Sequence, residues 1–244
     1  MNSFRFERVE RDDPRMADLY RLRYQVYCTE CGFERAEDHP GGLETDIYDP
    51  YSSHFCATVI ETGSIVGAVR IILDSPLGFP IEKHCQLDPC RRYDGDPKKI
   101  GEISRLAISK EFRRREIDRA IYSQREFNPA EVRQVHEQRR QFECLIVAGL
   151  YQCVYQESLT LGLTHWYAVM VKGLCGLLRR WGIVWNQVGE QVEYHGLRVP
   201  YLAGIAENEK RVAALNPLLL ERPCGWQGSA VRRNPEPPTR FAVA

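Results

Sequence analysis

Apolar residues recur along this chain with two periods, and the switches between them outline its elements. After Pro14, the stretch "RMADLYRLRYQVYCTECG" sets Leu19, Leu22, Val26 and Tyr27 on one helical face. Asp12, Asp13 and Pro14 supply the start: capping acids, then a proline at the first helical position. Gly32 supplies the stop. Residues 34–54, "ERAEDHPGGLETDIYDPYSSH", follow neither period and predict a loop, long enough to favour a functional role. "FCATVIE" and "IVGAVRIIL" flank the turn "TGS" and predict a hairpin. Residues 74–100 predict a further loop, and "GEISRLAIS" (101–109) a buried strand. Residues 143–161 are apolar almost all round, as a buried helix is, and Gly162 ends it. "HWYAVMV" predicts a strand, "GLCGLLRRWG" a short helix and "LRVPYLAGIA" a last strand. The order implies an α/β (α+β) protein, with helices packed on the faces of one mixed sheet.

Between these elements, residues 110–142 read as a charged helical insertion, divided at Asn128-Pro129. Residues 1–221 are expected to form one domain, and the Pro- and Arg-rich residues 222–244 a mobile tail.

Composition narrows the partners. The 244 residues carry 33 Lys+Arg against 33 Asp+Glu, so the chain has no global charge to attract nucleic acid or an anionic membrane. The charged N-terminus is no secretory signal, and no run reaches the roughly 20 apolar residues of a membrane helix. A cytoplasmic location is expected. Nine cysteines then read as free thiols. Cys28/Cys31 has the spacing of a metal knuckle and Cys85/Cys90 sits at its edge. Cys28 and Cys31 fall near the end of a helical pattern rather than in a turn, so no metal is expected.

The central strand poses a problem. Strict alternation puts Glu102 on one face with Ser104, and Arg105 on the other with Ile103. Two opposite charges in a core strand would then serve different places.

The charged positions form a recognisable set. "LRYQVYCTECGFE", "ETDIYD", "IVGAVRIIL", "GEISRLAIS" and "GLLRRWGIVWNQVG" occur in the order of the motifs of the acyl-homoserine-lactone synthases. Over roughly residues 19–206 the chain resembles this autoinducer synthase family, whose fold is that of the GNAT acyltransferases. Two outlying branches resemble it more: the N-acyl amino acid synthases and the acyltransferases associated with PEP-CTERM/exosortase systems. Tyr27 stands where that family has Phe, and Phe33 where it has Trp.

The resemblance implies a functional set of Arg23, Tyr27, Phe33, Asp46, Asp49, Arg70, Glu102 and Arg105. Ser104 lies between the last two, and Trp166 and Met170 on the late strand are candidates to line an acyl channel. It implies an acyl thioester as co-substrate, acyl carrier protein or acyl-CoA, with no tightly bound cofactor. "EFRRREIDRA" lacks the glycines with which GNAT enzymes admit a coenzyme A pyrophosphate, which favours a carrier protein. The insertion's nine bases against six acids, with Arg113, Arg114 and Arg115 adjacent, suit an acidic carrier.

Making an amide from a thioester requires a neutral amine, a held carbonyl and a stabilised oxyanion. An α-amine has a pKa near 8, so a carboxylate acting through water suffices as base. Glu102 is the first candidate, Asp46 and Asp49 the alternates. Arg23, Arg70 and Arg105 would balance Asp46, Asp49 and Glu102 in one lattice. The expectation is an N-acyltransferase acting on an amino-acid-like amine. The alternatives are a lactone synthase using S-adenosylmethionine and a non-catalytic binding module. For Glu102 and Arg105 to share a site, the central strand must break its alternation with a β-bulge.

Overall fold

A computed structural model describes residues 3–112 and 129–227, with the backbone alone for 129–140. Strands β1 (Phe4–Val9), β2 (Ser52–Val59), β3 (Ile65–Ile72), β4 (Ile100–Ile108), β5 (His165–Met170), β6 (Asn186–Gln187), β7 (Val192–Glu193) and β8 (Leu197–Gly204) form an eight-stranded sheet. Its order is β1-β2-β3-β4-β5-β8-β6, and β7 pairs with β8. Every pairing is antiparallel except β4 with β5, so the sheet is mixed.

The helices are α1 (Arg15–Tyr24), α2 (Pro80–His84), α3 (Pro129–Leu161), α4 (Lys172–Arg180) and α5 (Ile205–Leu215). They cover both faces, which is why β2 and β3 are buried along nearly their whole length. On one face α1 packs Leu19 and Leu22, and the turn just after it packs Val26, against Cys56, Ala68 and Ala107. On the other, α3 packs Ile146, Leu150 and Val154 against Phe55, Ile71 and Ile103. Gly149 lets α3 come down onto β1: a Cβ there would stand 2.2 Å from the Phe6 ring.

Several elements differ from expectation. "FRFERV" at the N-terminus is an edge strand, its Phe4, Phe6 and Val9 buried and its Arg5 exposed. The insertion's second half and the buried helix are one continuous helix, with Pro129 at its first position. Residues 113–128, including Arg113, Arg114 and Arg115, lie outside the described residues. The loop over 74–100 contains α2, and the last strand runs into α5. Residues 222–227 are not a free tail: the Phe6 amide donates to the Cys224 carbonyl at 2.7 Å, and Trp226 packs on Phe55. Residues 228–244 lie outside the described residues.

After α1 the chain winds into one wider turn, Gln25–Glu30. Such turns are rare and gather at functional sites. Gly32 then reverses it at a φ of 61°, which returns Phe33 and Glu34 to the Tyr27 carbonyl. No described helix is long and apolar enough to cross a membrane.

Candidate active site

The parallel ladder between β4 and β5 joins Ile100–Ile103 to His165–Ala168 and goes no further. Beyond Ala168 the two strands part, and a cleft of about 350 Å³ opens between them. Ser104, Arg105 and Leu106 line it from β4, and Val169 and Met170 from β5.

The central strand does break its alternation. Ala107 faces Ala68 and Ser104 faces Arg70, so Arg105 and Leu106 together oppose Val69. Pairing with β3 stays regular through Ile103 and Ser104, and the break falls just after them, at Arg105 itself. Arg105 takes a left-handed conformation, φ 54°, rare for a side-chain-bearing residue. The parity switches there. Ile103 packs into the α3 core, as do Leu106 and Ile108 beyond the bulge. Arg105 is thereby turned from the α3 core onto the face of Glu102 and Ser104.

Three guanidinium groups are locked in a network of acids. Arg23, 1% exposed, pairs with Glu44 and donates to Asp49 at 2.6 Å. Arg70, 2% exposed, donates to both oxygens of Asp46 at 2.6 Å, to Asp49 at 2.6 Å and to the Ser104 hydroxyl at 2.9 Å. Arg105 reaches Glu34 at 2.8 Å and Glu44 at 3.1 Å, and lies over the Tyr27 ring. Burial alone would raise Asp49, yet Arg23 and Arg70 together hold it well below the usual carboxylate range.

Glu102 is not part of this network. Its place beside Asp46 and Asp49 is taken by Glu44, from the "ETDIYD" loop and fully buried, and Glu34 is a fourth acid. Glu102 faces Ile72 on one neighbouring strand and Tyr167 on the other. It accepts one hydrogen bond, 2.9 Å from the Ile81 amide at the start of α2. Burial pushes its carboxyl up to about 8, and the Ile81 amide opposes this only in part. Glu102 still borders the cleft, as do Tyr27, Phe33, Asp46, Arg70, Ser104 and Arg105. Arg23 and Asp49 stand behind that wall and hold it.

Met170 lines the cleft but Trp166 does not. The Trp166 indole donates to the Ser158 hydroxyl at 2.8 Å and borders a separate small apolar cavity behind α3. Tyr27 donates to the Leu106 carbonyl at 3.1 Å, which fixes its ring at the bulge. Sequence patterns did not single out Glu34, Glu44, Tyr194, His195 or Arg198. The last three come from the β7–β8 hairpin and its turn, which folds over the cleft; His195 Nδ1 lies 2.8 Å from the Phe33 carbonyl.

Among the described residues no three His, Cys, Asp or Glu side chains gather as a metal site would. All nine cysteines are free thiols.

Residues 22–123 match the acetyltransferase (GNAT) domain family. The solved structures that resemble the chain include a CoA-dependent acyl-homoserine lactone synthase, BjaI, with S-adenosylmethionine and isopentyl-CoA. It is 16% identical at a TM-score of 0.62, over 93% of this chain and 95% of that one. The chain adopts the GNAT fold. The lactone synthase LasI shares this fold at 18% identity and a TM-score of 0.58, over 88% of this chain and 94% of that one. FeeM, an N-acyl amino acid synthase from uncultured soil microbes, shares it at 15% identity and 0.55, over 86% and 95%. No curated protein matches the sequence itself.

Proposed function

We propose that the protein is an N-acyltransferase, moving an acyl group from a phosphopantetheine thioester to the amine of an amino-acid-like acceptor. The observation that carries this is the isolated carboxyl of Glu102, beside a cleft opened in mid-sheet and pushed up to about 8. A base of that strength matches an α-amine, whose own pKa is near 8, so proton transfer between them is close to balanced.

In this scheme the acceptor enters as an ammonium group and gives one proton to Glu102, directly or through water. The freed nitrogen attacks the thioester carbonyl, and the C–S bond breaks as the amide forms. The departing thiolate takes up the second proton, shed by the attacking nitrogen, and Glu102 returns the first to water. The strand edges bordering the cleft supply backbone N–H groups for the oxyanion. Asp46 and Asp49, each engaged by Arg70, are poor bases beside Glu102. The acyl tail has an apolar route past Met170 and Leu174 toward Tyr151. Carrier protein and coenzyme A both present the same pantetheine arm, and the bases of the 110–142 segment favour the carrier.

The test is incubation with acyl carrier protein thioesters and acyl-CoAs against a panel of amines, with thiol release and product mass followed. Release with wild type and its loss in Glu102→Gln is the expected result. No release with any donor overturns the proposal. Release of methylthioadenosine with a lactone product would mark the S-adenosylmethionine reaction instead.

A further inference from the structure

Four arginines border or back the cleft, and three of them are already engaged by carboxylates. Arg23, Arg70 and Arg105 each hold at least two carboxylates. The fourth, Arg198 at the start of β8, differs. Its Nε donates to the carbonyls of Tyr194 and His195, at 2.9 and 3.1 Å. Its guanidinium lies over the Phe33 ring, 5.2 Å from the centroid. Among the described residues no carboxylate pairs with it, although the side chain lines the cleft.

We infer that Arg198 is the receptor for the acceptor's carboxylate, so that the enzyme takes free α-amino acids rather than simple amines. This rests on the acyl-transfer reading above. Elements on two sides fix the group before any ligand arrives. The tight turn at Tyr194–Gly196, with His195 at φ 54° and Gly196 at φ 86°, aims two carbonyls at Nε. Phe33, held in turn by His195, supports the guanidinium plane. With Nε held by the turn, the Nη edge is left for a carboxylate, which a guanidinium grips with two parallel bonds. Glu102 lies in the same cleft, so one ligand can place its carboxylate on Arg198 and its amine toward Glu102. Arg23, Arg70 and Arg105 are already committed to the acids of the network, so recruiting one of them would draw it away from a buried carboxylate.

The test is titration calorimetry with the twenty common L-amino acids and S-adenosylmethionine, each beside its carboxamide. A non-reactive acyl-pantetheine thioether fills the donor side. Wild type is expected to bind at least one acid and to prefer it to its carboxamide by about tenfold or more. Arg198→Gln erases that preference, weakening the acids far more than the carboxamides, and Arg198→Lys keeps part of it. Failure of wild type to bind any acid overturns the inference. So does equal weakening of acids and carboxamides in both variants, which marks Arg198 as a turn brace only. Thiol release from acyl thioesters, followed in parallel, separates the two claims. Release without carboxylate preference overturns the role of Arg198 and leaves acyl transfer standing. Carboxylate-selective binding without release does the reverse.

Discussion

Arg70 grips Asp46 with two parallel hydrogen bonds, both 2.6 Å, while its remaining Nε holds the Ser104 hydroxyl at 2.9 Å. One planar group thus ties β3, β4 and the loop before β2. Arg70→Lys keeps the charge and loses the fork, because an ammonium cannot reach Asp46, Asp49 and Ser104 together. The expected loss in urea unfolding is about 3 kcal/mol, the scale of a broken buried ion pair. Ser104→Ala removes one accepted bond and costs about 1 kcal/mol.

Glu102 makes both rate and stability depend on pH. Its carboxyl titrates near 8 in the fold, against 4.5 for the free side chain. Between those values the folded chain holds a proton that the unfolded chain has released, so stability falls as pH rises across the window. Glu102→Gln removes that slope. Its urea midpoint should vary less than wild type between pH 5 and pH 8. Acyl transfer in the variant should fall by about 10²-fold or more, leaving only the acceptor amine's own titration in the rate profile.

Asp49 works in the opposite sense. Arg23 and Arg70 depress it below its ordinary 3.8, so its contribution is complete above that value and is lost as pH falls through the lower folded value. Acid unfolding should therefore steepen below about pH 4. Asp49→Asn should be less stable than wild type at pH 6, with the difference narrowing at pH 2.

Arg105 carries backbone strain together with its charge. Both Arg105→Ala and Arg105→Gly remove the partner of Glu44 and Glu34, but only glycine adopts φ 54° freely. The glycine variant should be the more stable by about 1 kcal/mol in matched denaturant titrations, a difference that contacts alone would not produce.

Much of the fold was visible in the periodicity of α1, the β2–β3 hairpin, β4 and the apolar part of α3, because each buries a regular face. β1 was not, because Arg5, Glu7 and Arg8 mask the alternation of Phe4 and Phe6 on a strand that closes the sheet's edge. The order of charged motifs pointed to Arg23, Asp46, Asp49, Arg70, Glu102 and Arg105, and all six lie at or behind the cleft. Their pairing was not legible. Glu44 takes the place expected of Glu102 because the loop over 34–51 folds back onto α1, where the Glu44 amide donates to the Tyr20 carbonyl. Counting acids and bases says nothing of such a fold-back. The bulge was demanded by function, but its position was hidden: arginine is not a residue that announces a left-handed turn. Arg198 carried no local signal either, since what sets it apart, having no carboxylate partner among the described residues, is defined only by the assembled cleft.

The ladder that stops at Ile103 and Ala168 has one more effect. A sheet ordinarily exposes bare backbone only at its rim, where it invites other chains to pair, and proteins guard those rims. Here bare edges are created in the middle of the sheet, walled by Tyr27, Tyr151 and Tyr194. The molecule thus keeps unpaired backbone inside a walled cleft instead of at a rim, where it would be a template for its own aggregation.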